Sequence, residues 1–330
     1  MPKRILIIYT GGTIGMKQTV NGLAPAADLM AEITQLIELG PAFHENPPQL
    51  QTLSYEPLID SSDMTPEIWL KIAADIEMRY DDYDGFVVLH GTDTLAYTSS
   101  ALCYFLRRHG KPVVLTGAQL PFGFPRSDAR SNLISAIEVA ATMPVSMAQV
   151  CVVFGSRIMR GNRVTKISAN AYDAFDSPRF PLLGSIGIDI QFFSSLHTRA
   201  PEHPDLDVRL QLPEDNAVAL LRLHPGISAS MFRAVCASPG LRALVLEAYG
   251  SGNGPTRDPQ FLDAVRQAVA SGVMVVVVSQ PLDGVVTFER YASGSGLAGV
   301  GAISGRDLTT EAAISKLYFL LASGASASSF

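Results

Sequence analysis

Short apolar runs alternate with segments of helical periodicity along most of the chain. Ile5 to Tyr9, Phe86 to Leu89, Val113 to Leu115 and Val150 to Phe154 are unbroken apolar stretches of strand length. Between them, Ile68, Trp69, Ile72 and Ile76 recur at helical spacing behind Thr65-Pro66, a cap followed by a first-turn proline. Leu133, Ile134, Ile137 and Val139 mark a second helix from about Asp128 to Ala141, and a third is expected from Leu95 to Arg108. Leu29, Ile33, Leu36 and Ile37 suggest a further one, stopped by Gly40-Pro41. Strands alternating with helices predict βαβ units and a parallel sheet.

The rhythm fails from Phe192 to Pro213, where Ser-Ser-Leu-His-Thr and Pro-Glu-His-Pro read as a connection. It resumes with Val218 to Leu223, Leu244 to Leu246, a helix from Pro259 to Ala270, the strand Val273 to Val278, and a helix from Thr309 to Ala322. The expected fold is therefore α/β: a large N-terminal parallel-sheet domain over 1–192, a linker over 193–213, and a smaller C-terminal α/β domain over 214–330.

Charge and composition narrow the classes. A net charge of −6 with no basic run argues against a surface for nucleic-acid phosphates, so no nucleic-acid partner is expected. The apolar stretch behind Met1-Pro2-Lys3-Arg4 ends at Ile8, too short for an export signal, and Val273 to Val278 is too short to span a bilayer. The expectation is a cytoplasmic protein without a membrane partner. Cys103, Cys151 and Cys236 are widely spaced in apolar surroundings and read as free core thiols. The histidines are scattered without ligand spacing, so no catalytic metal or other cofactor is expected.

Candidate chemistry gathers where strands end. Thr10-Gly11-Gly12-Thr13-Ile14-Gly15 follows the first strand, Asp60-Ser61-Ser62-Asp63 follows one from about Gln51 to Ile59, and His90-Gly91-Thr92-Asp93-Thr94 follows Gly85 to Leu89. The C-terminal ends of strands are where open α/β sheets bind ligands. The first loop is either a tight turn or a hydroxyl on glycines that let a ligand approach closely; it lacks the glycine patterns of nucleotide loops. Capping competes as the explanation for Asp60 and for Thr92-Asp93. A hydroxyl nucleophile needs a base. Strand alternation points His90 away from the loop, which reads as structural. Lys166, in Arg160-Gly161-Asn162-Arg163-Val164-Thr165-Lys166, is either that base or a solvated surface lysine.

The pair Thr10 to Ile14 and His90 to Thr94 resembles the two signature motifs of bacterial L-asparaginases. Asp60-Ser61-Ser62-Asp63-Met64-Thr65-Pro66, Tyr80-Asp81-Asp82-Tyr83-Asp84-Gly85-Phe86 and Arg160-Gly161-Asn162-Arg163 resemble the cytoplasmic, type I branch. The resemblance runs essentially end to end. It implies an amidohydrolase in which Thr13 attacks the side-chain amide of L-asparagine and Thr92, Lys166 and Asp93 form a triad. It further implies that Asp60, Ser61, Ser62 and Asp93 hold the substrate's α-groups and that Ala118 contributes a backbone contact. It also implies a homodimer or homotetramer.

Three positions depart from the pattern. Leu23 stands where the family carries an assisting tyrosine. Glu247 and Pro281 stand where type I enzymes carry the arginine and cysteine of an allosteric asparagine site. An amidase acting on glutamine or a larger amide, and a non-catalytic binder of aspartate or asparagine, are the alternatives.

Overall fold

Strand β1 (Arg4–Gly11) lies between β4 (Gln49–Ile59) and β5 (Gly85–Leu89), both parallel to it. Ile5 to Tyr9 are buried without exception, so neither face of the strand is solvated. That is why its residues form a continuous apolar run and not an alternation. The computed structural model describes residues 2–19, 22–25, 47–107, 109–193, 210–214, 216–290, 292–325 and 330. They divide into two units, Met1–Val208 and Arg209–Phe330.

In the first unit the sheet has eight strands in the order β12-β11-β8-β7-β6-β5-β1-β4. Strands β6 (Val113–Thr116) and β7 (Val150–Phe154) continue the parallel set begun by β4, β1 and β5. Helices α1 (Pro66–Met78), α2 (Leu95–Phe105) and α3 (Ala129–Thr142) connect successive strands. Ile5, Ile7, Val87, Leu89 and Val114 share one core with Ala129, Leu133, Ala136 and Ile137 of α3. Leu6, Ile8, Phe86 and Val88, which alternate with them, are also buried. The chain leaves β1 for β4 on one side and then crosses to β5 on the other. The order therefore switches between β1 and β5, the kind of place where open sheets open a crevice at their C-terminal ends.

Beyond β7 the sheet is not parallel. Strands β8 (Arg157–Arg160), β11 (Gly184–Ile186) and β12 (Ile190–Phe192) are added antiparallel, so the expected parallel sheet is a mixed one. The basic segment 157–166 conceals β8 and β9 (Thr165–Lys166), which pairs with β10 (Phe175–Asp176). Its arginines are held by tertiary partners: Arg160 lies over the Phe180 ring and donates to Gln149, and Arg157 pairs with Asp176. A separate ribbon joins β2 (Met16–Thr19) to β3 (Gly22–Pro25). The helix expected around Leu29 to Ile37 lies outside the described residues, as does most of the segment 193–213.

The second unit is a four-stranded parallel sheet in sequence order, β13 (Val218–Arg222), β14 (Ala243–Ala248), β15 (Met274–Ser279) and β16 (Ile303–Ser304). Leu244, Leu246, Val275 and Val277 pack with Phe232 of α4 (Ala229–Cys236) and Phe261 and Val265 of α5 (Pro259–Ala270). Val245, Val276 and Val278 face the other way, onto Ala312, Ala313 and Leu317 of α7 (Thr310–Ala322). Helix α6 (Ala292–Gly299) has no counterpart in the sequence reading, because Gly294, Gly296 and Gly299 lower its propensity. Among the described residues no helix is long and apolar enough to cross a membrane.

Candidate active site

The three polar loops expected to carry chemistry follow β1, β4 and β5, and the structure brings them into contact. Thr10 donates from Oγ1 to the Leu89 carbonyl at 2.9 Å, fastening the end of β1 to that of β5. Thr94 donates from Oγ1 to the Ser61 carbonyl at 2.6 Å, fastening the loop after β5 to the loop after β4. Glycine makes the approach possible. A Cβ on Gly12, whose φ is +89°, would stand 2.5 Å from the Gly91 Cα, and one on Gly91 would stand 2.5 Å from the Ser61 Oγ. A side chain at position 12 would strike the Gly91 backbone, and one at position 91 would strike the Ser61 side chain.

On this frame Thr13 opens a 3-10 turn (Thr13–Gly15) and is half-buried. Asp60 caps the turn Ser61–Asp63, its Oδ1 accepting from the Ser62 N–H and the Ser62 hydroxyl, both at 2.9 Å. Ser61 is buried, whereas Asp60 and Ser62 are exposed. Capping thus accounts for part of Asp60, but not for the contact between Ser61 and Gly91.

Lys166 reaches the same place from β9. Its Nζ donates to the Thr92 Oγ1 at 2.8 Å and to the Asp93 Oδ1 at 2.7 Å. The Thr92 side chain is nearly buried and Asp93 is largely exposed, with 67% of its side chain accessible against 20% for Lys166. An ion pair that open is worth about 0–1 kcal/mol to the fold, so its geometry bears on chemistry more than on stability. A hydroxyl, an amine and a carboxylate in contact form a proton-transfer chain.

Ala118 is buried just beyond β6. The preceding Gly117 carbonyl accepts from Asn132 Nδ2 at 3.0 Å, and Asn132 Oδ1 accepts from the Gly155 N–H. Asp128 accepts from the N–H groups of Gln119 and Leu120. Asn132 and Asp128 shape this loop, and the sequence signalled neither beyond their places in a helix. His90 is fully buried, with Nδ1 2.7 Å from the Gly91 carbonyl and Nε2 2.8 Å from the Thr98 hydroxyl. Burial pushes its pKa down to about 4, partly offset by the Gly91 hydrogen bond, so the ring is neutral near pH 7.

Comparison with known proteins adds the kinship. A family model described as asparaginase, N-terminal, matches residues 4–198, and one described as glutaminase/asparaginase C-terminal domain matches residues 217–330. The chain belongs to the asparaginase family. L-asparaginase 1 of Escherichia coli (strain K12) is 42% identical over 97% of this chain and 92% of its own length. The crystal structure of L-asparaginase I from Vibrio cholerae superposes with a TM-score of 0.87 at 39% identity, covering 100% of this chain and 95% of that one. A probable cytoplasmic L-asparaginase from Campylobacter jejuni gives 0.78 at 27% identity, over 97% and 95%. In this asparaginase-family chain, the Glu247 carboxylate accepts from the Thr310 hydroxyl at 2.5 Å and from Arg222 at 3.3 Å. Glu247 is thereby tied to Arg222 on β13 and to Thr310 at the start of α7.

Proposed function

We propose that the protein is an L-asparaginase, hydrolysing L-asparagine to L-aspartate and ammonia through a threonine ester. The contact of Lys166 with Thr92 and Asp93, beside the switch point between the parallel strands β1 and β5, carries this reading. Asp60, Ser61 and Ser62 hold the α-carboxylate and α-ammonium, Asp93 faces the ammonium, and Ala118 supplies a backbone contact. Thr13 Oγ1 attacks the side-chain amide carbon; its proton passes to Thr92 Oγ1, which hands its own proton to Lys166 acting as the free amine. Backbone N–H groups of Thr13 and Thr92 receive the oxyanion, a contribution that is often the largest in acyl transfer. The C–N bond then breaks, the leaving nitrogen takes the relayed proton, and ammonia departs. Water adds to the ester carbon, releasing aspartate and restoring the Thr13 hydroxyl. The chain works without a cofactor, in the cytoplasm, as a homodimer or homotetramer, with its N-terminal domain carrying the chemistry.

One observation favours a second assignment of the nucleophile: the hydroxyl in contact with Lys166 belongs to Thr92. Ammonia release by the purified protein, compared with Thr13→Ala and Thr92→Val, tests the function. Equal rates in all three would overturn both assignments. Acid quenching followed by peptide mass spectrometry locates the aspartyl ester on residue 13 or residue 92. A panel of amides ranked by kcat/KM separates asparaginase from a glutaminase or broader amidase. Aspartate binding by calorimetry without turnover would leave a non-catalytic binder.

A further inference from the structure

His90 stands beside the site without facing it, and its hydrogen bonds give it a definite orientation. Nδ1 lies 2.7 Å from the Gly91 carbonyl, which can only accept, so Nδ1 carries the ring proton. In the neutral ring Nε2 is then an acceptor, and the Thr98 hydroxyl 2.8 Å away donates to it. Thr98 is itself fixed, fully buried on α2 with its N–H on the Thr94 carbonyl. The chain Thr98 Oγ1–H to Nε2, and Nδ1–H to Gly91 O, is thus a clamp anchored in a helix and closed on one peptide group.

That peptide group joins Gly91 to Thr92. In a planar trans peptide the C=O and N–H point in opposite directions. A clamp holding the Gly91 oxygen toward the interior therefore aims the Thr92 N–H away from His90. Among the described residues that N–H has no hydrogen-bond partner. The surroundings of Gly91 are close: a Cβ on it would stand 2.5 Å from the Ser61 Oγ, and a Cβ on Gly12 would stand 2.5 Å from its Cα.

We propose that His90 is a positioning residue which, through the Gly91 carbonyl, orients the Thr92 backbone N–H toward the oxyanion formed on the substrate. This rests on the reading of that N–H as an oxyanion donor. Thr98 acts one step further out, holding the ring in the tautomer that can donate from Nδ1. His90 exchanges no proton with substrate; its contribution is a fixed dipole.

Three variants test it. His90→Leu fills much of the volume but removes the donor, His90→Asn retains an N–H near the Nδ1 position, and Thr98→Val removes only the hydroxyl. Misaligning a donor whose outright removal costs about 10²–10³ in turnover should lower kcat of His90→Leu by roughly tenfold or more. KM and the aspartate Kd should stay within about twofold, because the donor acts mainly in the transition state. His90→Asn should recover most of the lost kcat, and Thr98→Val should show a smaller fall of the same kind. Thr98→Val carries the test by itself if His90→Leu does not fold. Wild-type kcat in His90→Leu, or in a folded Thr98→Val, overturns the positioning role alone. So does a His90→Asn as slow as His90→Leu, since ring volume would then be what matters. A wild-type protein that releases no ammonia from asparagine overturns the proposed function, and with it the role given to the amide.

Discussion

Lys166 donates a 2.8 Å hydrogen bond to the Thr92 hydroxyl across 74 positions of sequence. The lysine comes from a two-residue strand outside the main sheet, and the threonine from a loop at the sheet's switch point. If this contact is the proton relay, Lys166→Met should lower kcat by roughly 10²–10⁴-fold. Lys166→Arg should not rescue it, because a guanidinium keeps the charge but does not accept a proton. The exposed Asp93 makes the ion pair a weak contributor to stability, so the Tm of both variants should stay near that of the wild type. Steady-state ammonia release and a thermal melt check this together.

The Gly12–Gly91 approach predicts a steric failure. Alanine at position 12 puts a methyl against the Gly91 backbone at a φ of +89°. Overpacking at about 1–3 kcal/mol and the strained φ both act against it. Gly12→Ala should therefore lower the denaturation midpoint and lose most activity, as read by urea unfolding and ammonia release. Wild-type turnover in this variant would show that the loops part without consequence.

Leu23 lies on β3 opposite Gln18 of β2. The resemblance places a tyrosine there that assists the nucleophile. Leu23→Tyr should raise kcat with little change in KM, measured on asparagine. An unchanged kcat would mean that Thr13 is activated without position 23.

Asp75 ties α1 to β4. It accepts from the Tyr55 hydroxyl and from Lys71, both at 2.8 Å, and from Arg79 at 2.9 Å. Burial alone would raise its pKa, but the hydrogen bonds from Lys71 and Tyr55 and the charges of Lys71 and Arg79 bring it below the ordinary carboxylate value. A carboxyl depressed on folding contributes stability above its unfolded pKa of about 3.9, and the contribution is lost as pH falls through the folded value. Asp75→Asn should cost about 1–3 kcal/mol at neutral pH. Its deficit should shrink below about pH 3.9 in denaturant titrations.

The thiols should be inert in the folded protein. Burial pushes Cys103 up to about 12 and Cys236 up to about 11, and it drives Cys151 upward further, with the neighbouring Cys103 adding to the rise. Thiolate is the reactive form. A disulfide reagent near neutral pH should label all three in guanidinium but scarcely any of them in the native protein, without loss of activity.

Much of this was legible before the fold was known. Ile5 to Tyr9 and Gly85 to Leu89 announce buried strands because neither face meets water, and Gly11-Gly12 announces a tight turn because both residues take positive φ. The loops holding Thr13, Ser61 and Thr92 could be named for the same reason. Less legible were β8 and β9, since arginines that pair with Gln149, Phe180 and Asp176 look like solvated charge when read locally. Helix α6 escaped notice because its glycines oppose helix locally while packing sustains it.

By itself the sequence determined which residue types stand at the ends of which strands, a local matter of hydrophobic runs and turn chemistry. Only the tertiary structure decided that Gly12 touches Gly91, that Lys166 is the amine on Thr92, and that His90 holds the peptide before Thr92. Those are contacts between distant segments, set by the order of strands in the sheet and by side chains whose partners no local pattern names.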